Sequence, residues 1–229
     1  MKRKTIGIIL SIVILLVIVC TGYLTINGNF KKMKLEGEIK SLVKLDIKSD
    51  DFNRKIVSSG DYAVVEKAIK DYLSEYSSSI KEINSMVTAD SFSKLLSYDN
   101  LSNDPDFANS INQVNTSLNR INELIDKLIN MSSKESIINN IEQYKLDDYY
   151  NNIYIDLMIN DDVLSKLEIS RNDLEKYRES VTTKLNTCNE IFFFLNSNTK
   201  NYIFDEGQLK FTSEALMEQY NNYVKKIRG

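Results

Sequence analysis

The stretch FANSINQVNTSLNRINELIDKL, residues 107–128, carries the clearest helical signal in the chain. Its large apolar residues Phe107, Ile111, Val114, Leu118, Ile121, Ile125 and Leu128 are separated by alternating steps of four and three. Those steps bring all of them to one side of an α-helix, whereas a strand would scatter them over two faces. Asn112, Asn115, Asn119 and Asn122 are modest helix formers, so burial of the stripe has to supply much of the stability. A heptad seam of this kind needs a helical partner, either inside the chain as a bundle or in a second copy as a coiled-coil homo-oligomer.

The same rhythm recurs on both sides. From Asp61 the apolar positions are Tyr62, Val65, Ile69, Tyr72, Tyr76, Ile80, Ile83 and Val87, and Ser58-Ser59-Gly60-Asp61 before them reads as a helix stop followed by a cap. Glu66, Lys67, Lys70, Lys81 and Glu82 are read as the solvated face of that helix. A short apolar piece around Phe92, Leu95 and Leu96 leads into a polar turn from Asp99 to Pro105. After the seam, Ser132-Ser133-Lys134-Glu135 has the form of a capping box. It opens a helix through Ile137, Ile138, Ile141 and Tyr144 to Leu146, and a shorter one carrying Tyr150, Ile153, Tyr154, Leu157 and Met158 follows Asp147-Asp148. Asn160-Asp161-Asp162 marks another boundary. Ser170-Arg171-Asn172-Asp173 then reads as the cap of a last long helix with the stripe Leu174, Tyr177, Val181, Leu185, Cys188, Phe192 and Leu195. The run Ile191 to Leu195 is apolar all round, which implies burial on more than one side or a partner contact.

Helical spacing stops near residue 201. Tyr202-Ile203-Phe204, a three-residue loop Asp205-Glu206-Gly207, and Gln208 to Phe211 read as a β-hairpin, which must lean on the bundle because an isolated hairpin is marginal. Thr212-Ser213-Glu214 can cap a final amphipathic helix with Ala215, Leu216, Tyr220, Val224 and Ile227. The fold class is therefore mainly all-α, an antiparallel helical bundle ending in a small hairpin and helix. One proline and seven glycines among 229 residues fit long helices better than a many-stranded β fold.

At the other end, Ile6 to Ile26 contains no charged residue over a length that, as a helix, matches the hydrocarbon core of a bilayer. Lys2, Arg3 and Lys4 precede it and favour a cytoplasmic N-terminus, although Lys31, Lys32 and Lys34 place comparable charge on the far side. The expectation is an uncleaved signal anchor: a single-pass transmembrane helix in residues 1–30, a membrane-proximal helical segment in 31–60 and an extracytoplasmic bundle in 61–229. In the membrane-proximal segment Leu35, Ile39, Leu42 and Val43 share one side, followed by Ile47, Phe52 and Ile56. Cleavage to a secreted form or lipid attachment at Cys20 fits less well, because Cys20-Thr21-Gly22 is an imperfect cleavage pattern and Val19 is a poor residue before an acylated cysteine. The anchor, the long helices and the ending Tyr202 to Ile227 resemble single-pass membrane-anchored helical proteins of low-GC Gram-positive bacteria, and so does the richness in Asn, Lys and Ile. That resemblance implies location and architecture and carries no assigned activity.

The chemistry legible in the chain is sparse. There is no histidine, which removes the usual general base and the commonest zinc ligand. No Gly-rich phosphate loop occurs. Removing Lys2, Arg3 and Lys4 from 29 basic residues leaves 26 against 32 acidic ones, a net charge of −6 with no basic, aromatic-interleaved stripe for nucleic acid. Asp50-Asp51, Asp147-Asp148, Asp161-Asp162 and Asp205-Glu206 lie at inferred helix starts or turns, where capping explains them. Cys188 on an apolar stripe reads as a buried structural thiol. No cofactor, metal or catalytic residue is expected. Among thirteen tyrosines, Tyr149, Tyr150 and Tyr154 with Tyr202 form the set to inspect for a ligand or partner groove.

The expected function is non-enzymatic: a membrane-anchored extracytoplasmic protein binding a protein partner or an envelope component. Two alternatives stand beside it. One is a ligand-sensing domain that signals through a membrane partner, and the other is a carboxylate-only hydrolase acting on envelope polymers.

Overall fold

Gly60 and Ser133 show how the sequence punctuates this chain. Gly60 adopts φ +63°, a left-handed turn that ordinary residues avoid, and its carbonyl accepts the Ala63 amide at 2.9 Å as the following helix begins. The Ser133 hydroxyl accepts the Ser136 amide at 3.1 Å and starts the helix at Lys134.

A computed structural model describes residues 30–42, 44–45, 51–159 and 161–228, with the side chains of residues 89, 161–167 and 228 left aside. The expected anchor at Ile6 to Ile26, with Val43 and Ile47, lies outside the described residues. Among the described residues no helix is long and apolar enough to cross a membrane. The elements in order are α1 (Phe30–Leu42), a 3₁₀ turn (Asp51–Asn53), α2 (Asp61–Met86), α3 (Ala89–Leu95), α4 (Tyr98–Asn103), α5 (Ala108–Met131), α6 (Lys134–Glu142), α7 (Asp148–Met158), α8 (Asp161–Ser197), β1 (Tyr202–Asp205), β2 (Gln208–Phe211) and α9 (Glu214–Arg228). The fold is thus mainly helical with a C-terminal hairpin and helix.

The chain forms two compact units. The first comprises residues up to Glu82 together with Ile125–Glu175, and the second Ile83–Leu124 together with Lys176–Gly229. In the first, α1 buries Leu35, Ile39 and Leu42, and α2 buries Tyr62, Val65, Ile69, Tyr72, Tyr76 and Ile80. The Tyr72 hydroxyl donates to the carbonyl of Met131 at the end of α5. Tyr144 donates to the Asp71 carboxylate at 2.9 Å, and Asn140 donates to the Ala68 carbonyl at 3.3 Å, so α6 and the turn after it are held to α2.

In the second unit the seam of α5 is satisfied inside the chain. Phe107, Val114 and Ile121 are buried while Ile111 and Leu118 are half-buried. Phe107 stacks on Phe192 of α8, ring centres 5.9 Å apart and planes 14° from parallel. The hairpin turns one face toward a cluster of rings. Phe204 meets Tyr98 edge-on at 5.6 Å, and Phe211 lies 6.1 Å from Phe194 and 5.4 Å from Tyr220 of α9. Phe194 in turn meets Tyr223 at 5.9 Å, which settles why the apolar run Ile191 to Leu195 needs burial on more than one side. Phe193 alone in that run stays exposed.

Four local expectations are corrected. The capping residue of α6 is Ser133, since the Ser132 hydroxyl donates back to the Leu128 carbonyl at 2.8 Å and closes α5. Asp99 to Asn103 is helical, because Ser97 caps α4 at the Asn100 amide (3.2 Å) and Leu101 is buried. Ser170 starts nothing: α8 runs through it, and burial of Ser170 and Leu174 overrides the local cap signal. Asp147 precedes α7 without a side-chain cap bond, so its charge acts on the helix dipole only.

The hairpin loop has two residues, not three. Asp205 pairs with Gln208, and Glu206 and Gly207 carry φ 48° and 76°, the signature of a type I′ turn. Glutamate is a poor occupant of that first position, which favours asparagine. Glu206→Asn is expected to raise stability by about 0.5–1 kcal/mol, read as an increased urea midpoint, with the exposed Lys210 contact at 3.5 Å a minor loss.

Candidate partner-binding surface and the clamp behind it

The start of α7 carries two adjacent tyrosines because Asp147 and Asp148 end a loop that Lys145, at φ 53°, turns sharply. Tyr149 points outward and is 55% exposed. Tyr150 is half-buried, with its ring 5.2 Å from Tyr149 and 5.1 Å from Tyr62, edge-on in both cases. The Tyr62 and Tyr149 hydroxyls share a hydrogen bond of 3.2 Å. Burial pushes the Tyr62 hydroxyl up to about 12, helped by the Tyr149 hydrogen bond and by the nearby Tyr149, Tyr150 and Glu36. The Tyr62 hydroxyl therefore stays a neutral donor or acceptor through the physiological range.

The four tyrosines singled out by sequence do not converge. Tyr149 and Tyr150 adjoin, joined by Tyr62, which no feature of the linear pattern singles out. Tyr154 is fully buried one turn further along α7, where its hydroxyl accepts the Asn140 amide at 2.8 Å. Tyr202 belongs to the second unit, packed against Phe204 at 5.5 Å and Phe211 at 6.0 Å in the hairpin.

One turn along α2 from Tyr62 begins a charged cluster where a solvated face was expected. Glu66 is 0% exposed and Lys70 2%. The Lys70 ammonium lies 2.5 Å from Glu66 Oε1 and 2.7 Å from Glu38 Oε1 of α1, and it also donates to the carbonyls of Lys55 at 3.0 Å and Arg54 at 3.3 Å. Arg54 Nε donates to the same Glu38 oxygen at 2.7 Å. The Glu66 carboxylate accepts the amides of Val57 at 3.0 Å and Ser58 at 2.8 Å. Burial raises its carboxyl, but Lys70 and the two amides outweigh that and hold it below the ordinary value. Residues 54–59 form neither helix nor sheet, so these bonds supply what a regular element would. The cluster fastens α1 and this irregular segment to α2.

Other polar groups also serve structure. Asp104 accepts from the Ser110 amide at 2.7 Å and hydroxyl at 2.6 Å, capping α5 from the preceding loop. Cys188 is fully buried and its thiol is pushed up to about 12 by that burial. Among the described residues no three Cys, Asp or Glu side chains gather as a metal-holding group. No protein-family model, curated protein or solved structure matches the chain.

Proposed function

We propose that this protein is a non-enzymatic, membrane-anchored module on the extracytoplasmic side, which binds a protein partner through the surface around Tyr149. The observation that carries the reading is an exposed aromatic ring held in one place by two others. A tyrosine fixed by the Tyr62 hydroxyl and the Tyr150 ring offers large amphipathic contact area with little entropy left to lose, which is what binding hot spots use. The uncharged run Ile6 to Ile26 supports the tether. The buried carboxylates support a non-catalytic role, because Glu38, Glu66 and Asp104 are each engaged by ammonium, guanidinium or amide groups rather than facing an open cleft.

A photo-crosslinking residue at the exposed position Asn152 of α7, introduced in intact membranes, tests this. A discrete adduct with a second polypeptide is expected. Tyr149→Ala should weaken capture by about thirty-fold, the equivalent of roughly 2 kcal/mol for a hot-spot tyrosine. The same change should cost about 1 kcal/mol of stability through the lost Tyr62 hydrogen bond and Tyr150 ring contact, too little to unfold the protein. No adduct, or an adduct indifferent to Tyr149, would remove the reading.

A further inference from the structure

The exposed ring of Tyr149 is flanked by acids. Asp148 precedes it directly on α7, Asp147 stands just before the helix, and Asp61 precedes Tyr62 at the start of α2. The Tyr62 and Tyr149 hydroxyls, 3.2 Å apart, bring these two helix starts together. All three aspartates are exposed, and among the described residues no ion pair takes up any of them. The Asp147 carboxylate makes no capping bond either. Two positive contributions oppose them: exposed Lys145 in the loop before α7, and about half a charge at each helix start. Three carboxylates outweigh these by about one charge. The helix charge is also spread over backbone amides, whereas the aspartates carry theirs on side chains that a partner can reach.

We infer that the partner meets Tyr149 with an arginine, its guanidinium lying over the exposed ring while its N–H groups donate to the neighbouring aspartates. The inference rests on the partner-binding reading of this surface and names the chemistry of the contact. The face of a tyrosine ring is the negative part of its quadrupole and attracts a cation. A planar guanidinium can stack on a ring and hydrogen-bond to carboxylates from its edge at the same time, which a compact ammonium does less well. Tyr149 offers that face already fixed by the Tyr62 hydroxyl and the Tyr150 ring, so little ordering remains to be done on binding. An acidic segment would meet repulsion at the same place, which gives the surface a choice of partner as well as a contact.

The test uses the full chain in intact membranes, with the photo-crosslinking residue at Asn152. Asp61→Asn, Asp147→Asn and Asp148→Asn together remove the charge and keep side chains that suit a helix start. The adduct should fall about tenfold, each exposed contact being worth roughly two- to threefold. Glu190→Gln, Glu214→Gln and Glu218→Gln remove the same charge from exposed positions of the second unit and should leave the adduct unchanged. If the triple aspartate variant lacks a cooperative urea transition, Asp148→Asn alone takes its place, with a two- to threefold loss expected and an unchanged adduct overturning the inference. At matched ionic strength L-argininamide should compete for the wild-type adduct at a concentration where choline does not. Absence of any adduct removes the partner-binding reading and this inference with it. An adduct that survives loss of the aspartates, or that falls equally in the glutamate control, overturns the inference and leaves a partner at Tyr149. Choline competing as well as argininamide overturns the guanidinium assignment, since choline has no N–H to donate to a carboxylate.

Discussion

Replacing Glu66 with alanine is expected to destabilise the protein by about 3–5 kcal/mol, the usual cost of removing one member of a buried ion pair and leaving the other uncompensated. Lys70, at 2% exposure, would keep two backbone carbonyls but only the Glu38 carboxylate, which it shares with Arg54, and the Val57 and Ser58 amides would lose their acceptor. Glu66→Gln should cost less, because a side-chain carbonyl still accepts from one of those amides. Lys70→Met should resemble Glu66→Ala, since it buries a carboxylate without its ammonium. Urea denaturation of the variants checks the order. An effect under about 1 kcal/mol for Glu66→Ala would mean that the cluster is solvated and the clamp on α1 is not real.

Acid gives a second reading of the same site. Glu66 is held below its ordinary value of 4.5 and Asp104 below its ordinary 3.8, against the burial that opposes both shifts. A depressed carboxyl contributes stability that is complete above the unfolded value and is lost as pH falls through the folded one. The wild type should therefore lose stability progressively below about pH 4.5, and Glu66→Gln should flatten the upper part of that fall while leaving the part due to Asp104.

The contrast between these charges and the apolar stripes shows what a single sequence discloses. Seven of the eight apolar positions read for α2, Tyr62 through Ile83, are buried, as is the whole stripe from Leu174 to Leu195 on α8. Periodicity records which side of a helix is oily. It treats every charged residue off that stripe as solvated, and Glu66 and Lys70 escape because their partners Glu38 and Arg54 come from distant parts of the chain. The boundaries that went astray, at Ser132, Asp99 and Ser170, failed for a related reason. Serine, asparagine and aspartate carry the same local signal at a cap, in a turn or in the middle of a helix, and burial of a neighbour such as Leu101 or Leu174 decides among them. In the candidate surface the adjacency of Tyr149 and Tyr150 is visible in sequence, but Tyr62 is not, and without it the pair has nothing to hold it still.

Phe107 supports the remaining large prediction, because its backbone and its side chain pull in opposite directions. It adopts φ 58°, which costs a non-glycine residue roughly 1–2 kcal/mol, yet it is 0% exposed and stacked on Phe192. The strained turn persists because Asp104 fixes the loop to the start of α5 and the Phe107 carbonyl accepts the Ile111 amide at 2.9 Å. Phe107→Ala is expected to lose about 3–5 kcal/mol by leaving a cavity beneath Phe192. Phe107→Gly leaves the same cavity and relieves the backbone, so it should be the milder change by about 1 kcal/mol, the reverse of the ordinary alanine-over-glycine preference. Phe192→Ala alone should match Phe107→Ala, and the double variant should lose less than the two together, since each ring stabilises the other. Equilibrium unfolding of the four variants settles the order. If glycine at 107 proves worse than alanine, the left-handed turn does not exist in solution, and the stacked pair that enforces it does not exist either.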